Sequence, residues 1–326
     1  MDRAAPERGR ARPDAAAWRA FAVRLTNAAG IAALGAGAIF FVAANWQHLG
    51  ILGHFAMLEA ALAACVAIAW RRTPPHVVGR GALVLATLLT GGLLALFGQS
   101  YQTGADIYEL FVAWAVLALP FALGGRSGAV WATWWIVLNV AMALFCGWLG
   151  PGHFMWGWLD RWGVGKPAML MLPCAANLAG AAIFAHLGRT EFADHAPRWL
   201  VRMLLALAFL YGTVASIAAV ADGGWGRNAR LTGQNGTVVF IFAAASVAVA
   251  AATLRAKRDV FPMALVIGSW IAVSTALIIT HMRFEDLGAF FMVALWLIGT
   301  SSAAGFALMR WVREWRIDED APEAAA

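Results

Sequence analysis

Residues 81–99 read GALVLATLLTGGLLALFGQ, a run without a single ionisable side chain. As a helix rising about 1.5 Å per residue it is about 28 Å long, close to the roughly 30 Å hydrocarbon core of a bilayer. A membrane strand would alternate apolar and polar positions in segments of roughly ten residues, and this run is continuously apolar for about twice that length. It is therefore expected to be a transmembrane helix, which satisfies its own backbone where water is absent.

Similar stretches lie at approximately 27–46, 52–70, 107–124, 127–149, 167–187, 199–221, 236–254, 260–281 and 287–310. Of the 326 residues 62% are hydrophobic and only 13% charged, whereas a soluble domain carries about a quarter charged residues. A water-soluble enzyme is excluded on that ground. Cys65, Cys146 and Cys174 each sit inside an apolar run, without disulfide or zinc spacing. The fold class expected is all-α: a polytopic membrane protein, a bundle of about ten transmembrane helices spanning 27–311. An Arg-rich arm, 1–26, precedes it, and a short acidic, Ala-rich tail, 312–326, follows.

Charge orients this bundle. When the loops are assigned to alternating sides, all but five of the 24 Lys and Arg fall on the side of the N-terminal arm; the exceptions are Arg161, Lys166, Arg227, Arg230 and Arg283. The positive-inside bias then places both termini in the cytoplasm. The formal net charge of +6 is used this way, since no basic stripe interleaved with stacking aromatics points to nucleic acid. Trp46, Trp70, Trp158, Trp162, Trp199, Trp311 and Trp315 lie near span ends and read as interfacial anchors. The bilayer itself is the first partner expected.

Two segments near the start admit two readings each. Trp18, Phe21, Ala22 and Leu25, flanked by Arg19 and Arg24, form either a short interfacial helix or the first turns of the first span. The basic arm followed by an apolar run and Val42, Ala43, Ala44 also matches the outline of a signal peptide, although the run exceeds a typical h-region.

Polar groups deep in a membrane are costly, so they mark candidate sites. Glu59 lies about 12 Å along the second span, near the bilayer centre, with no Lys or Arg well inside that span. Thr90, Asn139 and Asn177 fall at similar depth on the third, fifth and sixth spans. Together they define a candidate intramembrane polar centre, with Glu59 either a proton or cation site or a protonated acid bonded to a neighbouring helix. A second cluster lies at the outer mouth: Asn45, Gln47 and His48 after the first span, and Gln99, Tyr101, Asp106 and Glu109 between the third and fourth. These loops carry no Lys or Arg, which suits a small polar or cationic ligand; short headgroup-level loops are also polar simply because they turn.

Two stretches carry a resemblance. LGAGAIFFVAANWQHLG, 34–50, and GQSYQTGADIYELFVAWAVLALP, 98–120, combine an AANW span end with a GQ-x-Y segment leading into an aliphatic span that holds a Trp and a terminal Pro. In these features the first 150 residues or so resemble the bacterial family of predicted integral membrane proteins called domain of unknown function 2157. The resemblance implies a membrane protein and supplies no reaction.

Transport of a small molecule or ion is the first functional expectation, because ten spans, short loops and both ends inside suit an exporter-like architecture. A non-catalytic accessory protein is the alternative, with Ala29, Ala33 and Gly37 and the pair Thr300, Ala304 as small-residue packing stripes. An intramembrane enzyme ranks third. Gly125, Arg126, Ser127 and Gly128 spell G-x-S-G, but Ser127 falls in a tight turn, and His186 at a helix end gives no nucleophile-base geometry. No metal or cofactor is expected: no His pair has H-E-x-x-H spacing, and no P-loop or dinucleotide fingerprint occurs.

Overall fold

The computed structural model describes residues 14–44, 50–72, 76–101, 104, 106–147, 165–190, 196–222, 233–256, 259–281 and 287–320. Among these, ten helices are long and apolar enough to cross a membrane. They are α1 (Ala15–Ala44), α2 (Ile51–Arg71), α3 (Val77–Tyr101), α4 (Ile107–Gly124), α5 (Gly128–Phe145), α6 (Met171–Leu187), α7 (Arg198–Asp222), α8 (Gly233–Ala256), α9 (Phe261–His281) and α10 (Leu287–Asp320). A single turn, Lys166–Met169, leads into α6.

Several helix boundaries differ from the sequence expectation by a few residues, and one of the readings left open is decided. The segment holding Trp18 and Leu25 is continuous with α1, so it forms the first turns of a long helix rather than a separate one. The fifth span ends at Phe145, followed by a turn in which Gly147 takes a left-handed backbone (φ 68°). At the C-terminal end α10 continues through Asp320 into the expected tail. Pairs four residues apart extend it: Arg310 Nε donates to Glu314 Oε1 at 2.6 Å, and the rings of Trp311 and Trp315 stack at 6.3 Å.

The helices divide into two compact units, the first comprising Met1–Ala105 and Glu109–Val137, the second Asp106–Tyr108 and Leu138–Ala326. In the first, α3 packs against α2 and α1. Its core joins Leu58, Cys65 and Ala69 of α2 to Ala82, Leu83, Ala86 and Leu89 of α3. These positions recur at three, four and seven residues, as a helix face requires. Lipid offers no hydrophobic drive for helices to associate, so close approach and interhelical hydrogen bonds hold them. Gly91 shows how. A Cβ there would lie 2.4 Å from the Trp114 ring. Its absence lets the Trp114 indole reach across from α4 and donate from Nε1 to the Thr87 carbonyl at 2.6 Å. Trp134 of α5 repeats the device on the Ala115 carbonyl at 2.7 Å.

In the second unit α7 is the hub, packed against α6, α8 and α9, while α10 packs on α9. Gly212 of α7 admits the Phe242 ring of α8, which a Cβ would meet at 2.2 Å. Phe242 in turn stacks on Trp270 and meets Phe209 edge-on. Elsewhere large apolar side chains stand exposed, among them Leu52, Phe240, Leu295 and Phe306. On a water-soluble protein such patches mark an interaction surface; on a spanning helix they meet acyl chains.

Candidate functional site

The four members of the expected intramembrane polar centre have different surroundings. Glu59 is on the exposed side of α2, one residue from buried Leu58. Thr90 is buried in the same unit, and its hydroxyl donates to the Ala86 carbonyl of its own helix at 2.9 Å. That bond uses the donor a shared centre would have needed.

Asn139 and Asn177 do meet, in the second unit. Asn177 Nδ2 donates to Asn139 Oδ1 at 2.7 Å, and Asn139 Nδ2 returns a bond to Asn177 Oδ1 at 3.1 Å. The second donor of Asn177 goes to the Pro173 carbonyl at 2.8 Å, and the Tyr211 hydroxyl donates to the Asn139 carbonyl at 3.3 Å. Asn177 is fully enclosed and Asn139 nearly so. The two amides thus form a closed, reciprocal pair tying α5 to α6. With both N–H groups and the side-chain oxygen of Asn177 engaged, it works as a clamp between helices.

In the expected outer-mouth cluster, Asn45, Gln47 and His48 lie outside the described residues. Gln99 and Tyr101 are exposed at the end of α3, where the Tyr101 ring packs 4.9 Å from Phe97 and 6.3 Å from Phe55. Glu109 is exposed in the first turn of α4, where a carboxylate complements the helix dipole. Asp106 is half-buried just before α4, in the segment assigned to the second unit. Ser127, the serine of G-x-S-G, is buried, and its Oγ accepts from Ala129 N at 3.3 Å. The serine is therefore the N-cap of α5, following the left-handed Arg126 (φ 40°). Among the described residues no group of three or more His, Cys, Asp or Glu is placed to hold a metal.

A feature that sequence reasoning missed lies elsewhere in the second unit. A cavity of about 540 Å³ runs between α6 and α8 over α7. Ala181, Ala182 and Ala185 line it from α6, Ala245, Ala248 and Ala252 from α8, and Val201 and Leu205 from α7. The alanines recur at three and four residues, so each set forms one stripe, and their small side chains leave the recess open. At one end the lining becomes polar: Arg189 follows α6, Arg198 and Arg202 open α7, and Asp259 precedes α9.

Asp259 organises this end. Its Oδ1 accepts from Phe261 N at 3.0 Å, capping α9 just ahead of Pro262, and its Oδ2 accepts from Arg202 Nε at 2.7 Å. The Arg202 guanidinium also lies 5.8 Å from the centre of the Phe261 ring. Arg202 is thereby fixed, whereas among the described residues Arg189 and Arg198 have no carboxylate partner. The available signal was the coincidence of two alanine stripes with arginines at the adjoining helix ends; in the sequence those arginines read only as orientation charges.

Fold and groove together define a class: a polytopic, all-helical membrane protein with a recess between its spans. More particularly, the family described as predicted membrane protein (DUF2157) matches residues 2–131, the region where the resemblance was read. The groove lies wholly beyond that match. No curated protein and no solved structure matches the chain.

Proposed function

We propose that the protein moves a small molecule or ion across a bacterial inner membrane and binds it in the α6–α8 groove, with both termini on the cytoplasmic side. The observation that carries this is the groove itself, an apolar recess of about 540 Å³ between spanning helices with polar groups converging at one end. Its size falls in the range of about 300–1,000 Å³ typical of small-ligand sites. The excess of Lys and Arg on one set of loops supports the orientation. On this reading the arginines select an anionic or polar head, and Glu59 is the coupling acid. No chemistry on the solute is proposed, in keeping with the capping role of Ser127.

The test is uptake into vesicles reconstituted with the full chain, using labelled organic anions and alkali cations, beside Ala248→Trp to fill the groove. Saturable uptake above protein-free vesicles, abolished by Ala248→Trp, is expected. Loss of the pH dependence of that uptake in Glu59→Gln would support the coupling role. Absence of uptake for every solute would favour the accessory reading.

One observation supports that second reading. Glu59 is exposed midway along α2 with Ala56, Ala60, Ala63 and Ala67, also exposed and spaced at three and four residues. Small residues let another helix approach closely, and a polar partner would relieve the cost of a carboxylate in lipid. A Glu59→Leu protein that migrates as a smaller complex in mild detergent would support it.

A further inference from the structure

We propose that the groove holds one anionic phospholipid, its phosphate on Arg189 and Arg198 and one acyl chain along the alanines of α6 and α8. This rests on the proposed function and names the solute class of its groove, an amphiphile with an anionic head. Three features fit the occupant. The α8 lining from Ala245 to Ala256 is about 16 Å of helix, and one leaflet is about half of a 30 Å core. An acyl chain therefore fills the apolar part while its head lies at the membrane surface. The polar end falls where α6 ends and α7 and α9 begin, so head and tail are separated along the groove as they are in a lipid.

The charge at that end is also suited to a phosphate. Arg189, Arg198 and Arg202 line it against the single carboxylate of Asp259. Asp259 and Phe261 hold Arg202, leaving exposed Arg189 and Arg198 to meet the head. Basic pockets between spanning helices on the cytoplasmic side take anionic lipid heads in this way. A zwitterionic lipid would bring a second cation to the arginines, and free phosphate would leave the alanine recess unfilled.

The experiment is native mass spectrometry of the purified full chain, delipidated and titrated with phosphatidylglycerol or with phosphatidylcholine of the same acyl chains. One tightly retained phosphatidylglycerol per chain is expected, with phosphatidylcholine markedly weaker. At about fivefold per arginine, Arg189→Gln with Arg198→Gln should weaken phosphatidylglycerol about twenty-five-fold. Ala248→Trp should abolish the retained lipid while leaving both arginines in place. Equal affinity for the two lipids, unchanged binding in Ala248→Trp, or displacement of the lipid by millimolar inorganic phosphate alone would each overturn the inference. Binding is read here without flux. Retained lipid with no uptake would therefore fail transport alone, and uptake by a chain that does not distinguish the two lipids would fail this inference alone.

Discussion

The asparagine pair and the arginine end of the groove are both polar places in the second unit, and they spend their hydrogen bonds differently. Asn139 and Asn177 bond to each other, and Asn177 has both donors and its side-chain oxygen engaged inside the protein. At the groove Arg202 is committed to Asp259, but Arg189 and Arg198 stand exposed beside an apolar recess. A buried polar group is not by that fact a binding group. What distinguishes a site is donor capacity left over next to space, and of these two places, among the described residues, the groove combines them.

The comparison breaks first if the pair is not a clamp. Asn177→Leu removes both bonds to Asn139 and the bond to the Pro173 carbonyl inside the core, so a loss of up to about 3 kcal/mol is expected in reversible unfolding by detergent titration. The double change Asn139→Leu with Asn177→Leu should cost less than the single one, because no amide is then left without its partner. A double variant much worse than the single one would mean that the amides serve something beyond each other.

Close approach sets the next scale. Gly212→Ala drives a methyl into the enclosed Phe242 ring, and Gly91→Ala drives one into the Trp114 indole; about 2 kcal/mol is expected for each by the same titration. In Gly91→Ala the loss should come with a change in Trp fluorescence as the indole leaves the Thr87 carbonyl. Ser127→Ala should cost about 1 kcal/mol, the value of an N-cap, and leave any uptake intact. Uptake lost at unchanged stability would reopen a chemical role for that serine.

The smallest effect is the most informative about the groove. Asp259→Asn keeps an oxygen to cap α9 and weakens only a partly exposed ion pair, so stability should shift by less than about 1 kcal/mol. Anionic-lipid affinity should rise, because Arg202 is released toward the groove and a negative charge is removed. Affinity that falls instead would mean that the fixed position of Arg202 matters more than its freedom.

The spans were legible because length and continuous apolarity are properties of the chain alone, and a stretch such as 81–99 has no other stable conformation in lipid. The facing of each helix was harder to read. Counting residues along each span gives Glu59 and Thr90 the same expected depth as the asparagines, yet depth fixes only height along a helix. Rotation set by packing leaves Glu59 exposed beside buried Leu58, and Thr90 bonds back to its own turn. Asn139 and Asn177 could be singled out as costly, but their pairing joins residues 38 apart in sequence on different helices. The groove escaped because an alanine stripe reads the same whether a helix or a void lies against it. Its arginines, meanwhile, were already accounted for by orientation.

Thiol labelling in vesicles tests most directly whether the groove is occupied from the membrane. Cys65, Cys146 and Cys174 are buried, so single substitutions can be followed in the otherwise native chain. Ala252 lines the groove near its arginine end, while Leu254, two residues along α8, is exposed and does not line it. In vesicles containing phosphatidylglycerol, Ala252→Cys should label several times more slowly than in phosphatidylcholine alone, with Leu254→Cys the same in both. Equal rates for Ala252→Cys in the two membranes would contradict a groove that takes an anionic lipid.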